Sequence, residues 1–228
     1  MEIIETILNT LYFFYDCLPI LAEGLKITLI SSVSSFALGL LIGSAVALLR
    51  VAKIKFLHYL LTAYVEVIRG TPLLVQLLFI FYGIPIVFGI KMPSLIVGIV
   101  AIGICTGAYQ SEMIRSGIQS IPEGQIEASQ ALGMTKWQTM QFIVLPQALR
   151  MVIPTLINEF IMVTKDTSQL MVIAIPELTR RGSWIVYRTF KPFQVFGLVG
   201  AMYFVIAYVA SRLSKYIENK YRIRGLIR

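Results

Sequence analysis

Few charged side chains interrupt the apolar stretches of this chain, and the segment from Met151 to Thr179 holds the most suggestive group of them. Thr155, Glu159, Met162 and Asp166 fall at i, i+4, i+7 and i+11, which is one face of a helix. A charged side chain at the centre of a membrane span costs at least ~2.5 kcal/mol on insertion scales, so one that persists there has a partner or a task. Carboxylates on that face would favour a cation, whereas Lys165, or a backbone amide at a helix break, could hold a carboxylate. Asn158 sits beside Glu159, and Gln76 lies in an earlier apolar run. The candidate contact set is therefore Glu159, Asn158, Asp166, Lys165, Thr155 and Gln76. The same charges could instead pair internally, Glu159 or Asp166 with Lys165 or Arg180, and serve only the fold. Tyr82, Tyr109 and Glu112 could add polar or cation-π contacts, and are read first as packing or inter-subunit groups.

Other chemistry is poorly provided for. His58 is the sole histidine, which leaves a Ser-His-Asp triad a single possible base and argues against a multi-histidine metal centre. Cys17 and Cys105 lie far apart, the second deep in an apolar run, so both read as packing residues rather than a disulfide or metal pair. No G-x-x-x-x-G-K-[ST] phosphate loop occurs. Catalysis, and any cofactor bound by this chain itself, are not expected.

The longest polar interruption runs from Glu127 to Pro146. Ser120-Ile121-Pro122-Glu123 reads as a capping box with proline in the first turn, starting a short helix through Glu127, Ala128, Ala131 and Leu132 that Gly133 ends. Thr135 and Gln138 offer a second capping box, after which Trp137, Met140, Gln141 and Val144 recur at helical spacing until Pro146. Two short helices meeting at a glycine elbow make a docking loop, or else an ordinary hairpin between spans.

The spacing Glu-Ala-(small)-x3-Gly-x9-Ile-x-Leu-Pro is met by Glu127, Ala128, Ser129, Gly133, Ile143, Leu145 and Pro146. It resembles the EAA loop of ABC importer permeases, with Ser129 in place of the usual second alanine and of similarly small volume. Arg69-Gly70-Thr71-Pro72-Leu73-Leu74-Val75-Gln76 and the segment from Asn158 to Thr179 are similar to the permeases for polar amino acids, of the histidine, arginine and glutamine type. The resemblance covers roughly residues 20 to 215. It implies a type I importer permease (MetI-like) fold and a loop that docks, through Glu127, Ala128, Ser129, Gly133, Leu145 and Pro146, on a cytoplasmic ATPase. It further implies two ATP-binding cassette ATPase subunits holding ATP and Mg, a second permease copy or paralogue, and an extracytoplasmic amino-acid-binding protein. A basic amino acid is the favoured cargo, with glutamine, glutamate or cystine as the alternative. A stand-alone secondary transporter or channel, and a membrane-embedded enzyme, are the competing classes.

These residues must be positioned by membrane spans. The chain of 228 residues is 57% hydrophobic and 14% charged, with a mean hydropathy of +0.79, well outside soluble composition. Its net charge of +8 reflects membrane orientation rather than nucleic acid, because the basic residues are scattered between apolar runs and thicken at the C-terminus. Residues 3–21 carry Glu5 and Asp16 without the basic start or cleavage site of a signal peptide, and read as an interfacial helix. Uncharged runs at 27–49 and 71–90, and an apolar run at 92–111, are each long enough for ~30 Å of hydrocarbon. The second has a bent entry at Pro72. A discontinuous segment broken near Asn158 and Glu159 follows, and 193–211 is the fifth span. Gly39-x-x-x-Gly43, with Ser31, Ser35 and Ser44, offers a surface for close helix approach, or carries no special role. Arg50, Lys53 and Lys55 after the first span and the basic C-terminus place the N-terminus outside and the C-terminus in the cytoplasm. Arg180, Arg181, Arg188 and Lys191 fit this orientation poorly. The expectation is an all-α protein of a bacterial inner membrane: an N-terminal interfacial segment at 1–22, a permease domain at 23–219 with its coupling loop at 120–146, and a basic tail at 220–228.

Overall fold

The computed structural model describes residues 2–51, 55–89 and 92–221, and among these every regular element is helical. Four stretches, Leu8–Val51, Ser94–Gln119, Lys136–Ile173 and Pro192–Glu218, are long and apolar enough to cross a membrane. A pair of helical stretches, Lys55–Gly70 and Leu73–Phe88, bent through 108° at their junction, makes a fifth when the two are counted as one span. Lys53, Ile90 and the tail from 222 onward lie outside the described residues.

Helix α1 (Glu2–Val51) runs for 50 residues, about 75 Å at ~1.5 Å per residue, more than twice the hydrocarbon thickness of ~30 Å. No helix end falls at the expected boundary near residue 22, and Pro19 lies inside the helix. Helix α2 (Lys55–Gly70) stops at Gly70-Thr71, and the chain turns at Pro72 into α3 (Leu73–Leu78), a π-helical stretch at Phe79–Gly83, and α4 (Ile84–Phe88). The bent entry expected at Pro72 is present. Helix α5 (Ser94–Gln119) is the most enclosed element and packs chiefly along α1.

That pairing rests on small residues. A methyl group on Gly43 would sit 2.9 Å from Gln110 Cβ and 2.9 Å from the Gly107 carbonyl oxygen, and one on Gly39 would sit 2.9 Å from Thr106 Cγ2. The Gly39-x-x-x-Gly43 surface therefore is a close-approach seam, matched by Gly103 and Gly107 on α5.

The loop beyond α5 holds α6 (Glu123–Ala131), α7 (Lys136–Gln138) and a π-helical stretch at Thr139–Val144, which continues into α8 (Leu145–Asp166). The Thr135–Gln138 capping box forms in both directions. The Ser120 box does not: Pro122 occupies the N-cap position, and the Ser120 hydroxyl donates to the Gly117 carbonyl oxygen at 2.7 Å. Pro146 does not end the loop helix either. It lies at the start of α8, just past the junction where the π-helical stretch passes into the α-helix.

The expected break at Asn158 and Glu159 is also displaced. Helix α8 runs unbroken through both, because a helix satisfies its own backbone whatever its side chains, and the discontinuity follows as a 3₁₀ stretch at Thr167–Ile173 ending on Ala174 at φ 69°. Helix α9 (Leu178–Thr189) is short and amphipathic, and α10 (Pro192–Tyr221) packs against α8 and α9.

Candidate functional site

Two features stand out from the helical frame: a line of polar groups inside the bundle and an exposed loop at one end of it. Cys105, Tyr109 and Glu112 follow one another at helical spacing on α5. Helix α8, which carries Glu159 and Asp166, packs against α5. The Arg69 guanidinium on α2 lies over the Tyr109 ring, 5.3 Å from its centroid, and 3.9 Å from Glu112. Glu112 also accepts from Arg115 at 2.6 Å and pairs with Arg50 at the end of α1. Tyr109 and Glu112 on α5 are thus engaged by a cluster of guanidinium groups, and the two carboxylates of α8 lie on a helix packed against α5.

The predicted contact residues are distributed unevenly. Glu159 and Asp166 are half-buried on α8, and Gln169 donates to Asp166 at 3.5 Å. Among the described residues neither carboxylate forms an ion pair: Arg180, offered above as a partner, donates instead to the Met171 carbonyl oxygen at 2.7 Å. Thr155, Asn158 and Lys165 are exposed on the same helix. Gln76 stands apart. Its side-chain amide donates to the carbonyl oxygens of Ile68 at 2.7 Å and Thr71 at 3.0 Å, and to the Thr71 hydroxyl at 2.8 Å. That clamp satisfies carbonyls freed where α2 breaks, a structural task, while the buried Gln76 Oε1 has no partner.

Arg69, and the link from Tyr109 to Glu112, were missed as parts of one array by sequence reasoning. The available signal was the helical spacing of Cys105, Tyr109 and Glu112, together with a charge placed just before the break at Thr71-Pro72. Glu177 was also overlooked. It is fully buried, caps α9 by accepting from Thr179 N at 2.8 Å and Arg180 N at 2.7 Å, and takes a third bond from Tyr203.

At the loop end, Glu127, Ala128, Gly133 and Pro146 are exposed and Leu145 is half-buried. Leu132 and Trp137 are 83% and 71% exposed, an apolar pair presented outside the bundle. Ser129 faces the other way. It is buried, donates to the Ile126 carbonyl oxygen at 2.7 Å and shares a 2.8 Å hydrogen bond with Thr139, which ties α6 to the π-helical stretch. Gly133 has φ 80°, and a Cβ at this position would meet nothing within 4 Å. Gln147 on α8 donates to Gln125 at 2.5 Å, so the loop is fastened to the helix that carries Glu159. The arrangement can transmit a push on the loop to the carboxylate-bearing span.

A family described as the binding-protein-dependent transport system inner membrane component matches residues 39–223. Over 210 residues the chain is 36% identical to the glutamine transport system permease protein GlnP of Escherichia coli (strain K12), covering 92% of this chain and 96% of that one. It is 38% identical over 203 residues to the L-cystine transport system permease protein TcyB of Bacillus subtilis (strain 168), covering 89% and 86%. A crystal structure of an amino acid ABC transporter with histidines superposes with a TM-score of 0.87 at 36% identity, over 92% of this chain and 97% of that one.

Proposed function

This chain belongs to the family of binding-protein-dependent transport system inner membrane components, the permease subunits of ABC importers, and from that premise we propose that its cargo is a polar amino acid, a basic one in preference. The observation that carries the reading is the pair Glu159 and Asp166, half-buried on α8 and, among the described residues, without an ion pair. A desolvated carboxylate needs a counter-charge. A cationic side chain or an α-ammonium group arriving from outside the chain supplies one, and Lys165, Arg69 or a backbone amide at the 3₁₀ break receives the α-carboxylate. A neutral polar cargo is the second reading, favoured by the glutamine and cystine named for the relatives.

The permease works with ATPase and binding-protein components. In this reading two permeases pair, identical or paralogous, and two ATPase subunits holding ATP and Mg dock on the 120–146 loops through Glu127, Ala128, Gly133, Leu145 and Pro146, with the exposed Leu132 and Trp137 added to that surface and the buried Ser129 bracing it from within. An extracytoplasmic binding protein delivers the amino acid from the side where the N-terminus lies, and the loop and the C-terminus face the cytoplasm. Closure of the ATPase pair then moves α6 and, through the Gln125–Gln147 bond, α8.

Replacement of Glu159 by Gln keeps shape and hydrogen-bonding capacity while removing the charge. Binding of arginine to the purified permease complex should weaken by roughly 2 to 5 kcal/mol, and that of glutamine by much less, because the lost interaction acts on the side-chain cation. Equal losses for the two amino acids, or none for either, would make Glu159 structural.

A further inference from the structure

Beside the loop, the bundle holds a cavity of about 730 Å³ whose wall includes Arg50, His58, Arg115 and Glu123 above an apolar floor of Ile118, Ile121, Ile126 and Val144. We propose that this cavity binds the headgroup phosphate of an anionic phospholipid, with the glycerol and first acyl carbons on the apolar floor.

The charge balance points to an anion. Arg50, Arg69 and Arg115 all converge on the one carboxylate of Glu112, so that cluster carries an excess of positive charge. The Arg50 side chain is only 9% exposed, and its Nε is buried without a hydrogen-bond partner. That Nε is closed off from the cavity, and it is as lining residues that Arg50 and Arg115 offer guanidinium forks that match phosphate oxygens. His58 is held beside it, with Nδ1 3.3 Å from the Arg50 carbonyl oxygen. Glu123 also lines the cavity and repels an anion, but it is an exposed carboxylate on the loop helix, outnumbered there by Arg50 and Arg115.

The floor selects lipid over a soluble anion. A site for free phosphate needs polar walls all round, whereas here the guanidinium groups line one side of an isoleucine and valine surface at the end of two membrane spans. Basic pockets between spans at the membrane surface suit phospholipid headgroups. The cavity is shared by the ends of α1 and α5, the start of α2, and Ile126 and Met140 of the loop. A lipid seated there splints the loop to the spans, which makes loop position sensitive to membrane composition.

The test uses the intact permease–ATPase complex in neutral detergent, titrated with phosphatidylglycerol and read by native mass spectrometry as lipid retained per permease. Wild type should hold phosphatidylglycerol and hold phosphatidylcholine more weakly. Arg115→Gln, which removes charge, and Ile126→Trp, which fills the floor and leaves every charge in place, should each weaken retention about tenfold or more. Retention unchanged in both variants overturns the proposal. Displacement of the lipid by glycerol phosphate at concentrations equal to the lipid also overturns it, and marks a site for a soluble anion. The readout is bound lipid, so it stands or falls independently of which amino acid is carried.

Discussion

Gly133 occupies a left-handed backbone position at the elbow between α6 and α7, and a β-branched side chain there would pay ~1 to 2 kcal/mol in backbone strain. Open space surrounds the position, so the loss is conformational rather than steric. Gly133→Val should leave the protein inserted and folded while ATPase co-purification drops several-fold. Undiminished retention of the ATPase by the variant would separate the elbow from docking. Local chemistry at this scale was only partly legible. The Thr135–Gln138 box follows directly from two residue types three apart, and it forms. The Ser120 box had the same spacing, but the Pro122 ring takes the cap position and the serine hydroxyl finds the Gly117 carbonyl instead. Gln76 reads as a polar contact in sequence. Its clamp on Ile68 and Thr71 depends on a backbone break whose depth no local pattern gives.

Close packing of α1 on α5 is what holds the first and third spans together. Gly43→Leu would drive a side chain into Gln110 and the Gly107 carbonyl, and overpacking of this kind costs about 1 to 3 kcal/mol. Thermal unfolding of the detergent-solubilised protein should fall by several degrees, with less loss for Gly43→Ala than for Gly43→Leu. A Gly43→Leu protein as stable as wild type would mean the seam opens without penalty. Four spans were legible as long uncharged runs, which have few alternatives in a membrane, and the one that carries Glu159, Lys165 and Asp166 only as a discontinuous apolar segment. The position of the break after α8 was not. Asn158 and Glu159 suggested it by polarity, yet polar side chains do not interrupt a helix whose backbone bonds are made. The interruption falls at Thr167–Ile173, where hydrogen-bonding side chains cluster around Asp166: Thr167 donates to the Thr164 carbonyl oxygen, and Gln169 to Asp166.

Across the whole molecule, the basic segment that strained the orientation argument has local partners. Arg181 pairs with Glu23 at 2.8 Å, Arg180 is bound to the Met171 carbonyl, both lie over Trp184, and Lys191 lies 4.5 Å from the Phe13 ring centroid. Such pairings join α1 to α9, far apart in sequence, so counting Lys and Arg along the chain could not anticipate them. The same holds for Arg69, Tyr109 and Glu112 and the carboxylates of the neighbouring α8, which three separate elements bring together. The proposed transport function is tested most directly in proteoliposomes that contain this permease with its ATPase, with ATP inside, the binding protein outside and a panel of labelled amino acids. The account predicts uptake of polar amino acids that requires ATP hydrolysis and the binding protein, with basic ones taken up best. Uptake that continues without ATP on an ion gradient, or ATP hydrolysis with no amino acid accumulated, would contradict it.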